Sequence, residues 1–407
     1  MTIPTLRFKA DDSSKFGEWK SIQLKDIAER IARKNKEENQ NALTISAQMG
    51  LVNQQAYFSK QIASRDLSKY YLLHKGEYAY NKSYSAGYPM GAIKRLKLYE
   101  KGVVSTLYIC FSLNKQVNSD FFEQYVESGN LVPELEKIAQ EGARNHGLLN
   151  ISLQEFFEIN LIVPCLKEQM KIATFLSAVD EKISQLSQKL HLLGQYKQGM
   201  MQKLFSQQLR FKADDGNEFR EWSNKTIGDV ANIKRGASPR PINDSKWFDD
   251  SSSIGWVRIS DVSKSKKYLL QTEQYLSTLG IQKSRLVPKG NLIMSICATI
   301  GKPIYTGFDV CIHDGFVVFS ELQAIHEYAY YYLEYIEKNW YQYGQPGTQV
   351  NLNSDIVSNE AFPFPCLEEQ TKIANFLSAI DQKIDVVSEQ LEQAKLWKKG
   401  LLQQMFV

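Results

Sequence analysis

The sequence of 407 residues lacks the features of membrane and secreted proteins. It contains no run of 18 apolar residues, so we expect no membrane span. Its first residues lack the basic and apolar regions of a secretory signal, so we expect none. The five cysteines are odd in number and form no CxxC pair, which is typical of a reducing cytoplasm and argues against a disulfide framework or a zinc site. We therefore expect a cytoplasmic protein.

Signatures of catalysis are also missing. The sequence has no GxxxxGK(S/T) phosphate loop, no GxGxxG and no GxSxG nucleophile elbow. No Pro-Pro dipeptide occurs, which excludes the Asn/Asp-Pro-Pro-aromatic signature of amino-group DNA methyltransferases. The five histidines lie outside any HExxH or HxxxH spacing. Together these absences argue against an enzyme that acts without partners, and we predict no metal site and no cofactor in this chain.

What the sequence does contain is an internal repeat. Leu6–Asp12 recurs without change as Leu209–Asp215, and Cys165–Ile183 matches Cys366–Ile384 at 14 of 19 positions. The stretches between these segments barely match. One scaffold therefore occurs twice and carries two different inserts, and segments that tolerate such changes usually carry recognition.

Each copy of the second repeated segment begins a long helix. Apolar residues recur there at alternating steps of four and three, which is the heptad pattern of a coiled coil. The first seam comprises Ile172, Leu176, Val179, Ile183, Leu186, Leu190 and Leu193, and the second comprises Ile373, Leu377, Ile380, Ile384, Val387 and Leu391. Lys197 and Lys398 occupy the same seam slot, and we expect each to lie near an end of the helices, where its charge reaches water. The alternative is an ordinary amphipathic helix packed on its own domain.

Two further residues are repeated at the start of each helix. Cys165 and Cys366 precede the helices and are expected to be small buried residues. Glu168 and Glu369 lie in the first turns, where a negative charge suits the helix dipole.

The order of the elements along the chain determines the direction of the helices. The second insert follows the first helix and so lies at its far end, ~60 Å away at ~1.5 Å per residue. The second helix begins where that insert ends and can pair with the first only by running back. We therefore predict an α+β fold in which two globular mixed α/β domains are joined by an antiparallel two-helix coiled coil, with a pseudo-two-fold internal repeat. The predicted boundaries are 1–165 for the first domain, 166–208 for the first helix, 209–365 for the second domain and 366–407 for the second helix.

The two inserts are predicted to be rich in β-structure. Short helices are expected at 24–28 and 227–231, and strands at 102–111, 291–297 and 315–319. A turn at Gly76 corresponds to one at Gly290, but at a different offset from the scaffold repeat. Insertions and deletions have therefore accumulated inside the inserts and spared the scaffold.

Positive charge collects in the inserts. Residues 60–101 carry nine Lys or Arg against three Asp or Glu, and residues 234–302 carry twelve against five. Cations and small polar groups at loop tips suit contacts with phosphates and base edges. The candidate DNA-contacting residues are Lys82, Tyr84, Lys94, Arg95, Arg144, Asn145, His146, Lys234, Arg235, Ser238, Arg240, Arg258, Lys302, Gln345 and Gln349. Each charge run taken alone is also typical of a solvated face.

These features resemble one family along the whole length of the chain. The duplicated Pro-Cys-Leu-x-Glu-Gln-x-Lys-Ile-Ala-x-Phe-Leu-Ser-Ala-x-Asp-x-Lys-Ile helix and the unlike inserts, including Ile233–Pro239 and Gly255–Asp261, are similar to the specificity (S) subunits of type I restriction–modification systems. The resemblance implies two target-recognition domains, each reading one half of a bipartite, asymmetric site in double-stranded DNA. The coiled coil would set the unread spacer and dock two methyltransferase subunits, with one S subunit per complex.

The resemblance assigns the chemistry to partner subunits. Methyltransferase subunits would use S-adenosylmethionine to methylate adenine N6, and endonuclease/translocase subunits that use ATP and Mg²⁺ can join them as a site-specific deoxyribonuclease in host defence. This chain would itself be non-catalytic. Two alternatives stay open: a scaffold whose two modules bind protein partners rather than DNA, and a nuclease or methyltransferase of unfamiliar motif.

Overall fold

The computed structural model of the chain describes residues 4–46, 49–58, 66–85, 87–139, 149–343 and 352–406. The chain forms two compact units, the first from residues 1–187 and 389–407 and the second from residues 188–388. Each unit contains one insert domain and a part of both long helices. The predicted four-part division separates the helices from the domains instead, and it stays a prediction.

The first unit is a mixed domain of short strands and helices. Its strands are β1 (Lys20–Gln23), β2 (Ala28–Arg30), β3 (Leu43–Ser46), β4 (Gly50–Asn53), β5 (Tyr71–His74), β6 (Tyr78–Asn81), β7 (Ala92–Arg95), β8 (Lys101–Val104), β9 (Ile109–Leu113) and β10 (Asn160–Val163). Its helices are α1 (Leu24–Ile27), α2 (Gln54–Phe58), α3 (Ser119–Glu127), α4 (Val132–Ile138) and α5 (Leu153–Glu158), followed by the long helix α6 (Leu166–Phe205). An antiparallel sheet has the order β2-β9-β6-β7, and the other strands pair as β1-β10, β3-β4 and β5-β8.

The second unit has more strands in larger sheets. Its strands are β11 (Ser223–Thr226), β12 (Asn232–Arg235), β13 (Gly255–Val257), β14 (Tyr268–Leu269), β15 (Gln274–Tyr275), β16 (Arg285–Val287), β17 (Leu292–Ser295), β18 (Pro303–Thr306), β19 (Val310–Ile312), β20 (Phe316–Ser320) and β21 (Ala361–Phe364). Its helices are α7 (Ile227–Val230), α8 (Ile259–Lys264), α9 (Thr278–Gln282), α10 (His326–Ile336), α11 (Ser354–Asn359) and the long helix α12 (Leu367–Met405), with 3₁₀ turns at Ser245–Trp247 and Glu337–Tyr343. The sheets have the orders β12-β20-β17-β18-β14, β15-β13-β19-β16 and β11-β21.

The core of the first unit lies where α3 packs against the long helices. The side chain of Asn118 caps α3 by accepting a hydrogen bond from the Phe121 N–H at 2.9 Å. Phe121 and Tyr125, one turn apart on the same face, are buried in one cluster with Leu176 of α6 and Met405 of α12. The domain and both helices therefore share a single core.

The core of the second unit is built in the same way around α10. This helix is apolar on most sides, which is typical of a helix in the interior of a domain. Tyr328 and Tyr331 are buried in one cluster with Leu204 of α6 and Ile373 of α12. Here too the domain and the two long helices share a core.

In the first unit, the start of α6 lies beside the end of α12. The Leu6 N–H donates to the Gln404 carbonyl of α12 at 3.0 Å. The next residue, Arg7, forms an ion pair with Glu168 in the first turn of α6 at 2.7 Å. One short segment thus joins the two helix ends, and the helices are antiparallel within this unit.

The second unit repeats this connection with the helices exchanged. The Leu209 N–H donates to the Lys203 carbonyl at the end of α6 at 3.1 Å. Arg210 forms an ion pair with Glu369 in the first turn of α12 at 2.8 Å. The two helices, of 40 and 39 residues, confirm the predicted antiparallel coiled coil and the α+β fold class with two mixed domains.

Several local predictions are confirmed and one is wrong. The short helices at α1 and α7 and the strands β17 and β20 lie where the pattern predicted them. Gly76 and Gly290 both form turns with positive φ angles of 92° and 85°, a conformation that favours glycine. The predicted strand at 102–111 is two strands, β8 and β9, because turn residues interrupt the apolar run between them.

The expectation for the cysteines before the long helices was also wrong. Cys165 is exposed and Cys366 is half-buried. Their carbonyls accept hydrogen bonds from the N–H groups of Gln169 and Gln370 at 3.0 Å, which begin each helix. The buried residue at each junction is the preceding proline, whose carbonyl accepts from the glutamine side chain at 2.9 Å.

Candidate nucleic-acid interface

Three of the predicted contact residues of the second unit meet at Asp314. Arg235 Nε donates to the Asp314 carbonyl at 2.7 Å and Ser238 Oγ donates to its Oδ1 at 2.6 Å. The Arg240 guanidinium donates to Oδ2 at 3.3 Å. The hydrogen bond from Ser238 is the main cause that lowers the pKa of Asp314, so the carboxylate is charged at neutral pH. This charge orders the loop that follows β12.

The same loop is held closely against the strand that precedes Asp314. Ser284 Oγ donates to the Ala237 carbonyl at 2.8 Å. A Cβ at Gly236 would lie 2.0 Å from the carbonyl oxygen of His313, a distance that no side chain tolerates. Only glycine allows this close approach, so the position of the loop depends on it.

His313 adds a neutral donor beside the loop. Burial is the main cause that lowers the pKa of His313; the charge of Asp314 opposes this shift and that of Arg258 adds to it. Its Nδ1 accepts a hydrogen bond from the Gly315 N–H at 2.8 Å, so Nε2 carries the hydrogen of the neutral ring. Arg258 and Lys234 are themselves exposed. The second unit therefore presents exposed guanidinium and ammonium donors beside this loop, which are groups that contact phosphates and base edges.

Lys302 is not part of this cluster. Its ammonium donates to the carbonyls of Val262 and Ser265, both at 2.8 Å, and burial lowers its pKa. Two of its three hydrogens are therefore used to brace α8. Its contact with DNA stays a prediction.

In the first unit, two predicted residues lie on the segment that follows β6. Lys82 is half-buried, and its ammonium donates to the Ile151 carbonyl at 3.3 Å. Tyr84 is 65% exposed. An exposed ring of this kind suits stacking or groove contacts with a partner.

The neighbouring basic pair on β7 has a structural role. Lys94 is only 9% exposed and forms an ion pair with Glu127. Arg95 pairs with Asp120 and, at 3.2 Å, with Glu123. These acids belong to α3 and lie far along the sequence, so the charge pattern of β7 alone did not reveal them. Contact of Lys94 and Arg95 with DNA stays a prediction, but their charges are already balanced inside the domain.

Five predicted contact residues lie outside the described residues: Arg144, Asn145, His146, Gln345 and Gln349.

The predicted seam residues of the long helices are buried or half-buried. The buried ones are Ile172, Leu176, Val179, Leu186, Ile373, Leu377, Ile380, Val387 and Leu391, and the half-buried ones are Ile183, Leu190, Leu193 and Ile384. The first turns of both helices also pack in the core of the domain that precedes them. The seam residues therefore pack in the cores of the domains as well as between the two helices.

The expectation that the two seam lysines would reach water was wrong. Lys197 is 9% exposed and forms ion pairs with Glu334 at 2.7 Å and Asp381 at 2.8 Å. Lys398 is half-buried and pairs with Asp180 at 2.5 Å. An aspartate on the opposite helix supplies the counter-charge in each case, so the lysines have no need to extend into solvent.

Sequence reasoning missed a second repeated contact. Arg7 donates two hydrogen bonds to Glu168, at 3.0 and 2.7 Å, and Arg210 donates two to Glu369, at 3.1 and 2.8 Å. Both glutamates are fully buried, so their carboxylates need these guanidinium partners. The dipole argument explained the glutamates only in part. The sequence feature that could have revealed these arginines as partners is the Leu-Arg-Phe-Lys segment, which is repeated without change.

In the part of the chain that the structure describes, no helix is long and apolar enough to cross a membrane. No cluster of three or more His, Cys, Asp or Glu side chains among the same residues is arranged to hold a metal ion.

Comparison with known proteins gives consistent matches over both halves of the chain. A profile of the family described as type I restriction modification DNA specificity domain matches residues 17–193 and 220–396. A protein assigned as the specificity subunit of the type I restriction enzyme MjaX of Methanocaldococcus jannaschii is 24% identical, covering 95% of this chain and 92% of its own length. The MjaVIII specificity subunit of the same organism is also 24% identical, over 75% of this chain and 73% of its own length.

Two solved structures share the fold. A chain from a study of complex assembly and conformational transition of the type I R-M system has a TM-score of 0.61 and 16% identity, and the match covers 96% of this chain and 98% of that one. The S subunit of a type I restriction-modification system from M. genitalium has a TM-score of 0.57 and 13% identity, covering 100% and 99%.

Proposed function

Because the chain belongs to the family of type I restriction modification DNA specificity domains, and is a DNA target-recognition subunit, we propose that it reads a bipartite, asymmetric DNA site. Each unit reads one half-site, and the chain itself is non-catalytic. The observation that carries this proposal is a contrast within the molecule. Scaffold contacts such as Arg7 with Glu168 and Arg210 with Glu369 are repeated, whereas the candidate recognition surfaces are not.

The two candidate surfaces differ in their chemistry. In the second unit, Asp314 gathers Arg235, Ser238 and Arg240 into one ordered cluster of donors. In the first unit, the predicted contact residue that is most exposed among the described ones is Tyr84, through its aromatic ring. Bidentate arginine suits the acceptors of guanine, whereas an apolar or aromatic group suits the methyl group of thymine. Unlike surfaces on one chain therefore favour two unlike half-sites, in contrast to a symmetric dimer that reads a palindrome.

The long helices carry the docking sites for partner subunits in this proposal. Leu166 and Leu367 occupy equivalent positions and are 43% and 52% exposed. Tyr196 and Trp397 are likewise equivalent and are 51% and 55% exposed. Large apolar side chains that stay exposed at the same repeat positions suit two copies of one partner. We assign these partners as two methyltransferase subunits, with one copy of this chain per complex.

The chemistry of the complex belongs to those partners. We assign methylation of adenine N6 with S-adenosylmethionine to the methyltransferase subunits. ATP and Mg²⁺ belong to endonuclease/translocase subunits where these join the complex. The host DNA that they modify lies in the cytoplasm, which we propose as the site of action.

Domain exchange tests the reading of half-sites. Residues 16–164 are replaced by the equivalent domain of a relative with a different target, and the assembled complex is tested for methylation. One half of the recognised site should change while the other half and the spacer stay the same. Methylation of the original site at both halves after the exchange would refute the proposal.

Salt titration separates DNA reading from protein scaffolding. The logarithm of the DNA affinity of the complex should fall linearly with the logarithm of salt concentration, by about 0.9 per neutralised phosphate. If the Arg240 guanidinium contacts a phosphate, Arg240→Gln should reduce this slope by about 0.9. Lys302→Gln is the matched comparison and should change the slope less, because the Lys302 ammonium already donates to two backbone carbonyls. An affinity that does not respond to salt would favour a scaffold that binds proteins.

A further inference from the structure

Asp180 joins three elements of the first unit. It lies on α6, and its Oδ1 accepts from the ammonium of Lys398 on α12 at 2.5 Å. Its Oδ2 accepts from Gln124 Nε2 on α3 at 2.7 Å. Gln124 is only 6% exposed, whereas the Asp180 side chain is 41% exposed, so this hydrogen bond lies at the edge of the core. One carboxylate therefore ties the recognition domain to both long helices.

Asp381 makes the equivalent junction in the second unit. It lies on α12 and pairs with Lys197 of α6 at 2.8 Å. Its Oδ2 accepts from the Tyr331 hydroxyl on α10 at 2.7 Å. Glu334 of α10 also pairs with Lys197 at 2.7 Å, which strengthens the link between the domain and the helices.

The correspondence extends to the second attachment point of each domain helix. The Asn118 N–H at the start of α3 donates to Gln169 of α6 at 2.9 Å, and the Ile325 N–H at the start of α10 donates to Gln370 of α12 at 2.8 Å. Gln124 and Tyr331 are both the sixth residues of their helices. Each domain helix is thus attached at its start and again near its middle, and two attachments fix its direction.

We propose that Asp180 and Asp381 are positioning residues that hold each recognition domain in one orientation on the helix pair, and thereby restrict the spacer length that the subunit accepts. This inference rests on the proposed reading of a bipartite site. The side chains that meet the two aspartates differ, an amide in one unit and a phenol in the other, but the aspartate and the opposite lysine are the same. The junctions therefore belong to the repeated scaffold and not to the variable recognition surface.

The lysine–aspartate ion pairs favour one register of the two helices at each junction. The side chains of Lys197 and Lys398 are 11% and 18% exposed, and a charge that is largely shielded from water is costly without an acid opposite it. Buried polar groups in a helix pair are best known for selecting one register and excluding others. Neutralising Asp180 removes this restriction and leaves the apolar seam in place. Neutralising Asp381 only weakens the restriction, because Lys197 keeps Glu334 as a partner.

Methylation of a spacer library tests the proposal. The full chain, assembled with its methyltransferase subunits, is given DNA that carries both half-sites at spacers from several base pairs shorter to several longer. Asp180→Asn should lower the preference for the native spacer over its neighbours by about tenfold, since small displacements of reacting groups have effects of this size or larger. Asp381→Asn should lower it less, because Glu334 still pairs with Lys197 at 2.7 Å. The exchange Asp180→Lys with Lys398→Asp should restore the preference.

Two comparisons separate positioning from stability. Glu181→Gln makes the same change of charge at an exposed neighbour and should leave the spacer profile unchanged. Gln124→Ala removes the bond between the domain helix and Asp180, and Tyr331→Phe removes the bond to Asp381 together with those to Ser378 and Lys267. Both variants leave the lysine–aspartate pairs in place and should broaden the profile less, which provides a test if an aspartate variant fails to fold. An unchanged profile in all of these variants would overturn the inference. Failure of the wild-type complex to methylate a bipartite site would instead overturn the proposed function.

Discussion

Removing Arg7 would leave a fully buried carboxylate without its cation. Glu168 is 0% exposed and Arg7 is 22% exposed, so the pair is shielded mainly on the side of the acid. Loss of one partner of a buried pair costs about 3–5 kcal/mol, and the partial exposure of Arg7 places Arg7→Ala near the lower end. For a unit of about 200 residues, a loss of about 3 kcal/mol lowers the melting temperature by ~6–12 °C.

The second unit supplies a matched comparison. Glu369 also accepts a hydrogen bond from Trp222 Nε1 at 2.8 Å, whereas the equivalent Trp19 Nε1 has no partner in the described structure. Arg210→Ala leaves that bond in place and should therefore cost about 1 kcal/mol less than Arg7→Ala. Differential scanning calorimetry of the full chain measures both losses.

A double replacement distinguishes the lost pair from a general loss of packing. Arg7→Met combined with Glu168→Met replaces the ion pair by apolar side chains of similar length, and such replacements are often close to neutral. The double variant should therefore recover most of the melting temperature lost in Arg7→Ala. An unchanged melting temperature in Arg7→Ala, or a double variant less stable than the single one, would refute the reasoning.

Further predictions concern a close approach, a helix and a buried histidine. Gly236→Ala should destabilise the second unit by about 1–3 kcal/mol in urea unfolding, because its Cβ would meet the His313 carbonyl. Gly199→Ala, with nothing within 4 Å of its Cβ and a helical backbone, should instead stabilise the chain by about 0.5–1 kcal/mol in the same assay. Burial lowers the pKa of His313, so the unfolded chain binds the proton first and stability falls as the pH drops below 6.5 towards the folded pKa. His313→Gln should be less sensitive to pH in that window, and an unfolding curve with the same pH dependence as the wild type would contradict this.

The scaffold could be predicted from the sequence because its signals are periodic and repeated. The heptad pattern predicted both long helices, and the order of the elements predicted that they are antiparallel. The repeat also contained the signal for the buried ion pairs. Arg7 and Arg210 are repeated just as Glu168 and Glu369 are, so the sequence could have predicted that each arginine pairs with a glutamate. The helix dipole favours an acid in the first turn, but it does not neutralise a fully buried carboxylate, which needs the arginine.

The recognition surface could be predicted only as a region. Lys94 and Lys234 have similar sequence surroundings of lysine, arginine and small residues. The first is buried against Glu127 and the second is exposed, because tertiary packing brings α3 over β7 but leaves the end of β12 open. Asp314, which organises the donors of the second unit, lies more than 70 residues beyond the loop that it orders. Contacts between distant segments of this kind leave no periodic signal.

Methylation sequencing at single-molecule resolution, carried out on DNA modified by the reconstituted complex, tests the central claim most directly. Two unlike half-sites separated by a spacer of constant length and unspecified sequence should be found, with one modified adenine in each half. A single continuous motif, a palindrome of two identical halves, or modification without sequence preference would contradict the account of two unlike recognition domains on one repeated scaffold.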